Sequence, residues 1–194
     1  MAKQGKGQNF EREICTRLSR WWTDGRRDDV FWRSSGSGAR ATTRAKFGRQ
    51  TANQHGDVTA VDPIGSPLTD LFTIEIKRGD SDATTHELLD RREGAAELLY
   101  ERWIENALRD CRAAGAAGWL LIAKRDRHEP LIWMEVGTRS LFDDVDTDLR
   151  IPPCATMTVR LRKPKIQATI FGTTLENFLL NVKPDAIIRL GKIV

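Results

Sequence analysis

Four residues have the types and spacing to work on a phosphodiester: Glu11, Asp57, Glu75 and Lys77. In Ile74-Glu75-Ile76-Lys77, strand alternation sends the two isoleucines to a core and leaves Glu75 and Lys77 on the other face. Strands over 57–62 and 71–77, joined as a hairpin through Pro-Ile-Gly-Ser-Pro, would set Asp57 opposite Lys77 and diagonal to Glu75. Two carboxylates then offer hard oxygen ligands for Mg²⁺ or Mn²⁺. Such a cation acidifies a bound water and neutralises charge on phosphate oxygens, while Lys77 orients the water or stabilises the developing charge. A Glu-x-Lys triplet is also common as a plain salt bridge on a half-exposed strand; the aspartate following Gly56 adds weight to the chemical reading.

Helix periodicity supplies the third acid. Glu11 shares a stripe with Ile14, Leu18 and Trp21 over residues 8–23, whereas Glu13 faces Arg17 and Arg20 on a solvated side. Glu11 therefore looks inward, as a site residue or as a partner of the helix dipole. Beyond Asp24-Gly25 a strand is expected over 30–35, then a long exposed loop over 38–56. A helix is expected over 86–114, with Gly94 able to split it and Gly115 and Gly118 closing it. Strands follow at 119–124, 131–136, 156–161 and 167–171, with a short helix at 174–181. That order makes an α/β layer around a mixed sheet.

The 194 residues suit one domain, and 40% hydrophobic with 30% charged residues excludes a disordered chain. Three scattered cysteines exclude a disulfide framework and a CxxC zinc site. The first residues lack the apolar run of a signal peptide, and the longest apolar stretch, 113–123, is too short to span a bilayer. A cytoplasmic protein is expected. Net charge is +4, unevenly spread: residues 1–50 carry 12 basic and 5 acidic side chains, residues 51–150 carry 12 and 20, and residues 151–194 carry 7 and 2. A basic flank beside an acidic middle suits a polyanion next to a metal-binding face, and equally an ordinary solvated surface.

FEREI at 10–14, RSSGSG at 33–38, HGDVTAV at 55–61 and IEIK at 74–77 occur in that order. Together they resemble the PD-(D/E)XK nuclease superfamily, and within it the archaeal-type Holliday junction resolvases. The resemblance covers roughly residues 5–136. It implies a restriction-endonuclease-like core: a central mixed β-sheet flanked by helices, with residues 1–150 as the nuclease core and 151–194 completing the same domain. It also implies a Mg²⁺- or Mn²⁺-dependent endodeoxyribonuclease acting on branched DNA, working as a homodimer with no membrane partner. Glu11, Asp57 and Glu75 then match the metal-binding acids, Ile76 adds its backbone carbonyl, and Lys77 is the motif lysine. Arg12, Arg33, Ser35 and Ser37 match positions that approach the DNA backbone. Gly56 stands where the superfamily name has proline, and the stretch from Gly38 to Asp57 is much longer than in the archaeal resolvases.

That stretch carries Arg40, Arg44, Lys46 and Arg49, a basic arm suited to phosphates. Its length favours the alternative, a restriction, repair or phage DNA-processing nuclease on linear duplex, and a DNA-binding protein without chemistry is the reading from another class. The cluster Arg160-Arg162-Lys163-Lys165 is either part of a DNA track or a solvated hairpin. Trp22 and Trp32 are candidates for a dimer face, and the other tryptophans for packing.

Overall fold

The structure is a computed structural model and describes residues 3–34, 55–79, 84–92, 94–146, 149, 151, 154–163 and 165–193. The first helix, α1 (Lys3–Trp22), starts earlier than its apolar period suggests. Its buried stripe is Phe10, Ile14, Leu18 and Trp22, with Cys15 alongside. The Ser19 hydroxyl donates to the Cys15 carbonyl at 2.8 Å and accepts from the Phe31 N–H at 2.9 Å, tying α1 to strand β1 (Phe31–Arg33). Trp22 donates to the Ile64 carbonyl at 2.7 Å and meets the Phe31 ring edge-on. That buries it and removes it from any dimer face; Trp32 is exposed.

The hairpin expected between 57–62 and 71–77 does not form. Strand β2 (Val58–Ala60) pairs antiparallel with β1, Phe31 opposite Ala60 and Arg33 opposite Val58. The supposed turn instead holds a 3₁₀ turn at Pro63–Gly65 and helix α2 (Ser66–Leu71). Its two prolines sit in first helical turns, where the missing N–H costs nothing, and the Asp62 carboxylate caps the first of them by accepting from the Ile64 N–H at 3.0 Å.

Strand β3 (Phe72–Arg78) is the first strand of a five-stranded sheet. The expected long helix is two pieces, α3 (Glu87–Asp90) and α4 (Leu99–Ala114), separated around Gly94 at φ +80°. Gly115 closes α4 in the left-handed region, but Gly118 opens strand β4 (Gly118–Lys124) rather than ending a helix. Then come β5 (Leu131–Glu135), α5 (Val136–Val145), β6 (Cys154–Leu161), β7 (Ile166–Thr174), α6 (Leu175–Asn181) and α7 (Pro184–Leu190). Helices α2, α5 and α7 are additions to the expected elements.

The sheet order is β3-β4-β5-β7-β6, with β3 and β4 parallel and every other pair antiparallel. This is an α/β fold with a mixed central sheet and flanking helices, as in restriction endonucleases. One face buries Phe72, Ile74, Ile76, Leu120 and Ile122 against α1 and the β1–β2 layer. The other buries Trp119, Leu121, Trp133 and Ile170 against Trp103, Ile104 and Leu108 of α4. Each fully buried side chain of this size contributes roughly 1.5–3 kcal/mol.

Candidate functional site

Alternation along β3 builds the site. Ile74 and Ile76 enter the first core, so Glu75 and Lys77 project to the α4 side at the open edge of the strand. Asp57 comes to that edge from the other layer, just before β2. Its N–H donates to the Ile74 carbonyl at 2.7 Å, and its carbonyl accepts from the Ser34 N–H at 3.0 Å. Oδ2 of Asp57 accepts from the Ile76 N–H at 2.8 Å and from Lys77 Nζ at 2.7 Å. Lys77 Nζ also lies 2.6 Å from Glu75 Oε2. The carboxylates of Asp57 and Glu75 thus share one ammonium.

Gly56 makes this approach possible. It has φ +87°, and a Cβ there would stand 2.8 Å from the Ile74 carbonyl oxygen and 2.9 Å from the Ile74 nitrogen. Proline, locked near −65°, cannot take this conformation, so glycine stands where the superfamily name has proline.

Glu11 faces the pair from α1 and is held by Arg33 of β1, Nε to Oε2 3.2 Å. Burial and then the nearby Asp57 charge raise its carboxyl above the ordinary value, against the pull of Arg33, Lys77 and Arg12. Burial, then Asp57, also pushes the Glu75 carboxyl up; the Lys77 ammonium opposes this, and Asp110 of α4 adds to it. Burial by itself would lower the Lys77 ammonium, but Glu75 and Asp57 together outweigh it and drive it upward. The Cys15 thiol, beside Glu11, is pushed up to about 12 by burial and then by the acids. Three carboxylates against Lys77 and Arg33 leave an excess negative charge in a largely buried place.

That excess and the hard oxygen donors fit a divalent cation. Among the described residues no three acidic, histidine or cysteine side chains stand close enough to hold a metal together, so the converging donors are Asp57 and Glu75. One or two carboxylates with waters and substrate oxygens are the usual set for Mg²⁺. The Ile76 carbonyl leaves the strand on the same edge as its N–H, the edge Asp57 occupies.

A family model described as "Phage putative PDDEXK endonuclease" matches residues 2–189. The chain belongs to this family. No curated protein and no solved structure matches it. The segments that resemble the letters of the superfamily name are Gly56-Asp57 and Glu75-Ile76-Lys77. Arg12 is exposed on α1 near Glu11, and Arg33 holds Glu11 itself. Ser35, Ser37, Arg40, Arg44, Lys46 and Arg49 lie outside the described residues. Glu13, Arg17 and Arg20 do not form the expected set: Glu13 approaches Lys124, Arg17 bonds Glu176 and Arg20 approaches Asp28. Two site neighbours went unnoticed in the sequence, Ser34, buried beside Asp57, and Asp110, beside Glu75. Ser34 adjoins the RSS triplet and was within reach of the argument; Asp110, 35 positions beyond Glu75, gave no signal. Among the described residues no helix is long and apolar enough to cross a membrane.

Proposed function

We propose that this protein is a divalent-metal-dependent endodeoxyribonuclease whose catalytic centre is Asp57, Glu75 and Lys77, with Glu11 completing it. The observation that carries this reading is the convergence of the Asp57 and Glu75 carboxylates on Lys77 at the open edge of β3. Asp57 and Glu75, with the Ile76 carbonyl, would hold Mg²⁺ or Mn²⁺. Glu11 would join through a bridging water or at a second ion. The bound cation supplies an acidified water and neutralises charge on the phosphodiester.

The protein's own groups do the rest. Lys77, released from one carboxylate, donates to a phosphate oxygen as negative charge grows there, or orients the attacking water. Glu75 and Asp57 accept hydrogen bonds from that water and fix its line of approach. The water oxygen bonds to phosphorus, the bond from phosphorus to the 3′ oxygen breaks, and a proton passes to the leaving 3′ oxygen. The products are a 5′-phosphate and a 3′-hydroxyl. Arg12 and Arg33, with the basic arm at 40–49, would neutralise flanking phosphates. We read residues 151–194 as completing the same domain, a reading supported by the pairing of β7 with β5.

The resemblance to junction resolvases makes branched DNA the first substrate to test, with a two-fold homodimer placing the two cuts. The deciding assay offers an end-labelled four-way junction and a linear duplex of matching sequence, each with Mg²⁺ and with EDTA. Wild type should cut in Mg²⁺ only, and both Glu75→Ala and Asp57→Asn should abolish cutting. Paired symmetric nicks on the junction alone support resolution. Equal cutting of both keeps the metal centre and discards the junction. Full cutting by Glu75→Ala overturns the site.

A further inference from the structure

At the other edge of the sheet lies a feature the catalytic centre does not use. An open groove of about 570 Å³ runs between the segment around α3 and strand β6. Arg91 and Arg92 line one side and Arg160 and Arg162 the other, and among the described residues no carboxylate lines it. Two acids of α4, behind the groove, hold its walls in place. Glu101, wholly buried, pairs with Arg91 and lies 3.7 Å from the Arg162 Nε, while Arg162 also bonds the Ala95 carbonyl. Glu105 accepts from the N–H groups of Arg162 and Lys163, at 2.8 and 2.7 Å, and so fixes the β6–β7 turn. Arg92 and Arg160, in contrast, are exposed and make no ion pair among the described residues. Two arginines are anchored and two are left to reach outward.

We infer that this arginine groove is a second DNA-contact site, holding the phosphate backbone of a duplex whose scissile bond lies at the β3 edge. The inference rests on the nuclease reading above. Guanidinium forks suit phosphate oxygens, and among the described residues of the groove no carboxylate repels them. β6 lies four strand spacings from β3, roughly 19 Å at about 4.8 Å each. That is less than one helical turn of duplex, about 34–36 Å. The basic hairpin cluster at 160–165 is then part of a DNA track rather than a merely solvated turn.

The test measures binding of a fluorescein-labelled mixed-sequence duplex of about three helical turns, by anisotropy across a series of KCl concentrations in EDTA. Proteins are wild type, Arg92→Ala/Arg160→Ala, Arg92→Lys/Arg160→Lys, and Lys183→Ala/Lys192→Ala as a control that removes equal charge elsewhere. The alanine pair should lower the slope of log affinity against log salt by about 2 and weaken binding roughly tenfold or more. The lysine pair should restore the slope and the control should leave it unchanged. A slope unchanged in the alanine pair, or reduced equally in the control, overturns the groove. Metal-dependent cleavage by wild type, lost in Glu75→Ala, is scored in parallel. Cleavage with an unchanged slope sinks the groove alone, whereas absent cleavage with an altered slope sinks the nuclease reading and leaves a DNA-binding groove.

Discussion

Lys77 answers two buried carboxylates with one ammonium, and the balance among the three makes firm predictions. Lys77→Ala should lower kcat by about 10²–10³-fold, the usual loss for a donor aimed at developing charge. It should also destabilise the protein in EDTA by up to about 3–5 kcal/mol, because two acids are left facing each other, and Mg²⁺ should recover much of this. Parallel thermal melts with and without metal check it. Glu75 predicts the pH behaviour. Its carboxyl is raised by burial and by Asp57, so the folded chain prefers the protonated acid. The associated stability is complete below the ordinary carboxylate value and is lost as pH rises through the raised one. In EDTA, the Tm of wild type should fall across that window, and Glu75→Gln should remove the fall. With Mg²⁺ the trend should reverse, since a ligand must be ionised to bind. The acids and Lys77 were legible because strand alternation and helix stripes depend on residue type and spacing alone. Their shared environment was not, since Asp110 arrives from a helix folded over the other face.

The elements show a correct juxtaposition reached by an incorrect path. A hairpin was expected to bring Asp57 to Lys77, yet β2 pairs with β1, and Asp57 meets β3 through its N–H on the Ile74 carbonyl and its carboxylate on the Ile76 N–H and Lys77. Pro63 and Pro67 read equally as turn residues and as first-turn helix residues, and the Asp62 cap that decides between them is a matter of geometry. What fixes Asp57 is Gly56, and the prediction at this scale concerns it. Gly56→Ala meets both a left-handed backbone and the Ile74 peptide. It should cost more than the ~1–2 kcal/mol of the backbone term alone and lower cleavage by drawing Asp57 away from β3. Melting temperature and cleavage rate should fall together, whereas a variant with normal stability and full activity would show that Asp57 is positioned some other way. Strands β4 to β7 were readable because each carries a run of apolar or alternating residues. The split between α3 and α4 turns on Gly94 at φ +80°.

For the molecule as a whole, the site sits at the rim of the core shared by two layers, α1 with β1–β2 on one side and the five-stranded sheet on the other. A cation held by Asp57 and Glu75 would join them. Mg²⁺ at about a hundred times its Kd should stabilise the fold by ~2.7 kcal/mol, a rise in Tm of about 5–10 °C. The rise should vanish in Asp57→Asn; a rise of equal size in that variant would place the ion elsewhere. The position of β7 has a consequence in time. It lies between β5 and β6, so an interior strand of the sheet leaves the ribosome after every other strand of that sheet. Until residues 166–174 emerge, β5 keeps an unpaired edge and Trp133 and Met134 lack their neighbours Gly172 and Phe171. The acids and the lysine, all within the first 77 residues, are made long before the sheet that steadies them is closed. A nascent chain therefore carries Asp57, Glu75 and Lys77 without the rigid frame that holds them together until β7 has been made.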